Sequence, residues 1–283
     1  MRSNKYYIAK KISLRVLIYA ILTIGAAFSL IPLLWLVRSS LMETAQIFEI
    51  PLRWLPDPIC WDNFEQALTV VPFVKYFRNS AIIVIGVVAG TVFTSSITAF
   101  AFSRLEWKGR DMIFGILLSG MMLPFAVTLI PTFVMWSKTG LTNTFIPLIL
   151  PSWFGGGAGN IFMLRQFYSS IPKELDEAAI IDGASTFRIY SQIIVPLSKS
   201  ALIVIGLFSF MGAWNDFLGP LVYISDPNKY TVAIGLRQFM GMYTSQWNLL
   251  MAASLVALIP VLVAYFFGQK YLVEGIALTG IKG

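Results

Sequence analysis

The chain reads as an all-α polytopic membrane protein: six transmembrane helices and a two-helix loop on the cytoplasmic side. Three observations predict this. Of 283 residues, 57% are hydrophobic and 12% charged, where globular domains are roughly a quarter charged, so a soluble fold could not cover the apolar surface. Six stretches with little or no charge, near 15–37, 79–103, 112–136, 144–166, 201–224 and 249–272, each reach the roughly 20 helical residues that cross a bilayer core. Between the fourth and fifth lies the polar run PKELDEAAIIDGASTFRIYSQIIVP, Pro172 to Pro196, with Glu174, Asp176, Glu177 and Asp182 crowded into its first half.

In lipid each span must be helical, because every backbone amide needs an internal partner. The first follows a basic segment, Arg2, Lys5, Lys10, Lys11 and Arg15. Its apolar run, Val16 to Val37, exceeds the core of a cleavable signal, so an uncleaved span is expected. Residues 1–14 then form a cytoplasmic segment and 15–283 the transmembrane domain, with a core of about 75–272, a polar loop over 167–200 and a tail over 273–283. Two-thirds of the 21 Lys and Arg residues fall on the side of the N-terminus. That bias places both termini and the 167–200 loop in the cytoplasm.

The net charge of +7 is spread by topology and not gathered on one polar domain, so nucleic acid is not an expected partner. Membrane lipid is. A single cysteine, Cys60, forbids an intrachain disulfide, and the absence of histidine excludes imidazole catalysis and His-ligated metal. No Gly-x-x-x-x-Gly-Lys-Ser/Thr loop occurs, so ATP is not bound by that route. No clustered carboxylate or cysteine set suggests a membrane enzyme.

The outer loop, about 39–78, holds Pro51, Pro56 and Pro58 with Trp54 and Trp61. These predict an extended segment, then a short helix around Asn63–Val70, with the tryptophans in the interfacial belt. Pro147, Pro151 and the run Gly155-Gly156-Gly157 with Gly159 interrupt the fourth span. Such breaks occur beside a protein-lined or watery cavity, or where small residues let helices pack closely. Asn160 in this segment, and Trp214, Asn215 and Asp216 in the fifth span, are candidates for a translocation path. Asp216 is the one carboxylate inside a span, and a charge there is costly enough to suggest function. A structural role at a helix interface is the alternative.

In the polar run, Pro172 suits a first helical turn, and the acids after it complement the positive end of the helix dipole. Leu175, Ala178, Ala179 and Ile181 form an apolar stripe. Gly183 fits a left-handed helix end. Ser185 is a good N-cap for a second helix, Thr186–Ile194, and Pro196 marks the turn into the fifth span. The paired alanines let a partner approach closely, and Glu177 can anchor its Arg or Lys. A helix lying on the membrane surface is the alternative, but the acidity of 172–183 would be repelled by anionic lipid.

Glu177-Ala178-Ala179, then Gly183, Ile193 and Val195-Pro196 resemble the EAA signature of bacterial ABC-importer permeases, with valine where leucine is usual before the proline. Pro51 to Pro56, Asn63-Phe64, Asn79-Ser80, Arg165-Gln166-Phe167, Trp214 to Phe217, Tyr230, Trp247-Asn248 and the tail from Leu272 resemble the carbohydrate type. The chain is most similar to the second, shorter permease of a maltose-transporter pair. The resemblance implies a bacterial inner-membrane half-channel of six helices, with no catalytic residue and no cofactor of its own. Its implied partners are a second homologous permease, two ATP-binding cassette subunits carrying ATP and Mg, an extracytoplasmic solute-binding protein and a saccharide.

Under that resemblance Glu177, Ala178, Ala179, Asp182, Gly183 and Pro196 belong to the coupling element in the ATPase cleft. The tail Glu274–Gly283 enters between the ATPases, and the loop 225–248 reaches the binding protein. Transport follows by alternating access driven by the partners' motion. A permease for a different small solute is an alternative. A stand-alone secondary transporter, which usually shows internal repeats and mid-membrane ionisable groups, is another.

Overall fold

A computed structural model describes the backbone of residues 2–241 and 245–280, and side chains over 11–241 and 245–272. Helices make up the regular structure of the described residues, apart from one isolated bridge between Met240 and Ser245. The chain divides into two compact units, Met1–Val71 with Gln238–Val256 and Pro72–Arg237 with Ala257–Gly283.

The first unit opens with α1 (Arg2–Ser40), followed by the single turn α2 (Thr44–Ile47) and by α3 (Asp62–Thr69), close to the predicted 63–70. Every side chain over residues 11–32 is exposed. A helix apolar on all sides with nothing of its own chain around it is suited to lipid. At its end Arg38 is buried, its guanidinium 4.5 Å over the Trp35 ring and its Nε donating to the Arg53 carbonyl at 2.6 Å. Asn63 donates to the carbonyls of Ser40 and Met42 at 3.0 and 2.9 Å. Asn248 Nδ2 donates to Asn63 Oδ1 at 2.8 Å, and Asn248 Oδ1 accepts from Thr44 Oγ1 at 2.6 Å. These amides, at positions that resemble the carbohydrate type, thus tie the segment after α1 to itself and to the start of α15. Trp54 and Trp61 remain exposed.

In the second unit α4 (Phe73–Arg104) is the central element. It is followed by α5 (Arg110–Ser119), a 3₁₀ turn over Gly120–Met122 and α6 (Phe125–Lys138). Then come α7 (Ile146–Ile149), a 3₁₀ turn over Leu150–Trp153, and α8 (Ala158–Ser170). The polar run forms α9 (Glu174–Ile181), α10 (Thr186–Ile189), a π turn over Tyr190–Ile194 and α11 (Val195–Leu197). The chain continues through α12 (Lys199–Trp214), α13 (Leu218–Tyr223), α14 (Val232–Gln238) and α15 (Trp247–Gly280). Here α4 packs along α8 and α12. The core beneath the polar run gathers Phe100, Phe102, Phe114, Leu164, Tyr168 and Ile205.

The helices differ from the six expected spans. Lys11–Ser40, Phe73–Arg104 and Trp247–Leu272 are single helices of 30, 32 and 26 residues, long enough to cross. The third expected span is broken: Arg110–Met122 and Phe125–Lys138 meet at 99°. Pro124, extended at ψ 140°, stands at the break, where it offers no amide to carry the helix on. The fifth ends at Trp214, and Thr186–Leu197 meets Lys199–Trp214 at 76°. The fourth, 144–166, is no continuous helix, because two prolines and three glycines of positive φ interrupt its ladder. By length the described residues hold three spans, or five if each bent pair counts as one.

The glycine run is a close-packed turn. Gly156 has φ +67°, and a Cβ there would stand 2.5 Å from the Thr91 carbonyl oxygen of α4. Gly156 fits close packing by small residues, one of the two readings of this segment.

Candidate functional site: an exposed two-helix knob and a polar cavity

The helix α9 starts at Glu174, two residues beyond Pro172, with Glu174, Asp176 and Glu177 in its first turn and no buried side chain. Acids at this end are favoured by the helix dipole. The helix closes on Gly183, at φ +77°. Asp182 N–H bonds the Ala178 carbonyl at 3.1 Å, Gly183 N–H that of Ile180 at 3.0 Å, and Ala184 N–H that of Ala179 at 2.9 Å. Gly takes a left-handed position at no steric cost. Ser185 Oγ then accepts the Arg188 amide at 3.3 Å, capping α10. Ile189 and Ile194 bury themselves below. Pro196 lies within α11, and the bend into α12 falls at Ser198 instead.

What this knob shows to solvent is both apolar and acidic. Leu175, Ile180, Ile181 and Phe187 are 42%, 61%, 85% and 73% exposed. Ala178, Glu174, Glu177 and Asp182 are exposed beside them, and Glu177 makes no ion pair among the described residues. Ala179 and Ala184 turn the other way and pack on the core. Apolar surface rimmed by charge occurs at protein–protein and membrane contact sites.

One residue not singled out in the sequence holds the knob from behind. Arg104, at the end of α4, reaches Asp176 Oδ2 from Nη1 at 3.0 Å. From Nη2 it donates to the carbonyls of Tyr168 and Ile171 at 2.6 and 2.7 Å. In the sequence Arg104 counted only toward topology. The one usable signal was a basic residue ending a span ahead of an acid-rich loop.

The second feature is a cavity of about 360 Å³ lined by Ser80, Thr91, Ser209, Asp216 and Thr231 among apolar neighbours. Asp216 is half-buried and accepts the Gly219 amide on Oδ1 at 3.0 Å, capping the start of α13. The other three path candidates are engaged elsewhere. Trp214 is buried, stacked on Phe210 at 5.9 Å and edge-on to Phe77 at 5.4 Å. Its Nε1 donates to the Ala257 carbonyl at 3.1 Å. Asn215 donates back to the Met211 carbonyl at 2.9 Å and Asn160 to that of Gly156 at 2.7 Å. None of these three lines the cavity. Trp214 gives its N–H to a carbonyl 43 residues away, and the two asparagines give theirs within their own helix or turn; sequence spacing does not reveal either.

The loop 225–231 is fastened beside the cavity. Asn79 donates to the carbonyls of Asn228 and Tyr230 at 3.0 and 2.9 Å, and Ser80 Oγ accepts the Val232 amide at 2.9 Å. Asn143 Oδ1 accepts the amides of Ser225 and Asp226 at 3.2 and 2.9 Å. The Asn228 amide holds the Asp226 carboxyl below the usual carboxylate range, helped by the Asn228 side chain, Lys229 and Lys75. Among the described residues no three His, Cys, Asp or Glu side chains come together to hold a metal. The tail expected over 274–283 lies outside the residues whose side chains are described, as do 242–244 of the 225–248 loop.

Helices of bilayer length, a cavity within the second unit and an exposed two-helix knob define a multi-pass helical membrane protein. Residues 82–277 match the family of binding-protein-dependent transport system inner membrane components, and the chain belongs to that family. It is 33% identical over 261 residues to the trehalose/maltose transport system permease protein MalG of Thermococcus litoralis, covering 91% of this chain and 93% of that one. It is 32% identical over 270 residues to the arabinooligosaccharides transport system permease protein AraQ of Halalkalibacterium halodurans, covering 93% and 96%. A chain in the crystal structure of a bacterial ABC transporter that imports the acidic polysaccharide alginate shares the fold. Its TM-score is 0.78 at 24% identity, over 90% of this chain and 95% of that one.

Proposed function

We infer that this chain is one of two permease subunits of an ATP-driven importer of a sugar or oligosaccharide. The exposed α9–α10 knob, acidic and apolar on a chain otherwise built for lipid, carries this reading. It docks in a cleft of a cytoplasmic ATP-binding cassette subunit, with Ile180, Ile181 and Phe187 filling the cleft and Glu177 meeting a basic residue. ATP and Mg are bound by two such subunits, and this chain holds no cofactor. A homologous permease completes the channel, and an extracytoplasmic binding protein delivers the solute to the side of residues 39–78. Both termini are cytoplasmic and the membrane is the bacterial inner membrane. The cavity beside Asp216 borders the path. Relatives named for trehalose, maltose and arabino-oligosaccharides support a saccharide cargo.

The test is radiolabelled uptake of maltose, trehalose and arabino-oligosaccharides by cells carrying the complete transporter. Glu177→Ala and Gly183→Pro are expected to cut uptake at least tenfold while the amount of chain in the membrane stays constant. Normal uptake and normal association with the ATP-binding subunits in either variant would remove the coupling role. If none of the three sugars enters the unaltered cells, the cargo assignment is wrong for them and the docking role still stands or falls on association.

A further inference from the structure

The geometry points to Arg104 as the positioning residue of the docking knob. In this role it holds α9, through Asp176, in the pose that the ATP-binding subunit engages. The inference rests on the docking role of α9 given above.

Two turns of helix with no buried side chain do not hold their own orientation, since short helices are marginal without tertiary support. Ala179 and Ala184 supply only small apolar contacts. The remaining tether is the guanidinium of Arg104, 3% exposed, against the Asp176 carboxylate, 16% exposed. Its planar fork also binds the carbonyls of Tyr168 and Ile171, at and just beyond the end of α8, where the Tyr168 carbonyl otherwise accepts only the Ile171 amide at 3.2 Å. One rigid group thus ties the ends of α4 and α8 to the first turn of α9. A lysine, with a single compact ammonium, cannot span three acceptors in that fixed fork. Asp176 Oδ1 and Arg104 Nε are buried without a partner, so the pair is held by few bonds and is sensitive to the loss of any one. Asp176 is therefore turned inward in an acidic turn whose other members, Glu174 and Glu177, face solvent. The first turn is divided between an anchor and a docking face.

The experiment uses the complete transporter purified through a tag on this chain. It reads amide hydrogen exchange in the knob, and MgATP hydrolysis per tagged chain. Arg104→Ala and Asp176→Asn are each expected to raise exchange over residues 174–183 at least tenfold. Each should lower recovered hydrolysis at least fivefold, with exchange in α4 and α12 unchanged. The double variant should be no worse than the worse single one, and Arg104→Lys should fall between. Asp176→Asn is the milder change and serves if Arg104→Ala does not accumulate. Unchanged exchange at 174–183, or raised exchange with full hydrolysis, overturns the inference. So do additive losses in the double variant. Glu177→Ala, solvent-facing, separates the two ideas. If it alone lowers hydrolysis, docking stands and the Arg104 tether fails. If it changes nothing, docking itself fails.

Discussion

Gly156 and its neighbour Gly155 both sit at positive φ, +67° and +90°, but only Gly156 has a backbone oxygen where a Cβ would go; at Gly155 the nearest atom is an Ile161 methyl at 3.5 Å. A residue with a side chain in such a conformation costs about 1–3 kcal/mol in strain alone. Gly155→Ala should therefore cost that much, and Gly156→Ala clearly more because α4 must also move. Thermal unfolding in detergent, followed by tryptophan fluorescence, ranks the two, and equal midpoints would contradict the close approach to Thr91. Asp216 lends itself to a similar division. Asn in its place keeps an acceptor for the Gly219 amide, whereas Ala loses a cap worth about 1 kcal/mol. Asp216→Asn should leave stability within about 0.5 kcal/mol of the parent. A loss of uptake in that variant then belongs to the charge in the cavity and not to the fold.

Single residues set the bends, but elements carry the loops between them. The segment 225–231 is held by three asparagine and serine side chains and by the Asp226 cap on Asn228. The folded carboxyl of Asp226 lies below its ordinary value, near 3.9 in an unfolded chain. Its contribution is therefore present above about pH 4 and lost as pH falls through the lower folded value. Hydrogen exchange over 226–230, corrected for the intrinsic rate, should be flat from about pH 7 to pH 5 and rise below about pH 4. Asp226→Ala should give fast exchange at every pH. A parent profile that begins to rise below about pH 4 and a variant without the step would together confirm the cap.

Across the whole molecule the orientation has a direct test, because the chain contains one cysteine. Cys60 is partly exposed on the outer loop. A membrane-impermeant maleimide should label it from outside in intact spheroplasts, and labelling only after permeabilisation would invert the assignment of both termini. The sequence was most legible where physics is local. Lipid leaves helix as the economical backbone state, so the long apolar runs of α1, α4 and α15 could be read directly. The spacing of Glu177, Gly183 and Ser185 likewise foretold where α9 ends and α10 is capped. It was least legible where a side chain's partner follows no pattern, whether near or far in the chain. Trp214 and Asn160 looked exposed to a path because nothing in a linear pattern says that Ala257 or Gly156 takes their N–H groups.

Composition and charge order sufficed for a helical membrane protein with an acidic knob, because the cost of burying charge and unpaired amides in lipid allows little else. Tertiary structure alone decided which carboxylate of the first α9 turn faces outward. Glu177 and Asp176 are adjacent and chemically alike, and only the position of Arg104, 72 residues away from Asp176 in the chain, turns one into an anchor and leaves the other for a partner.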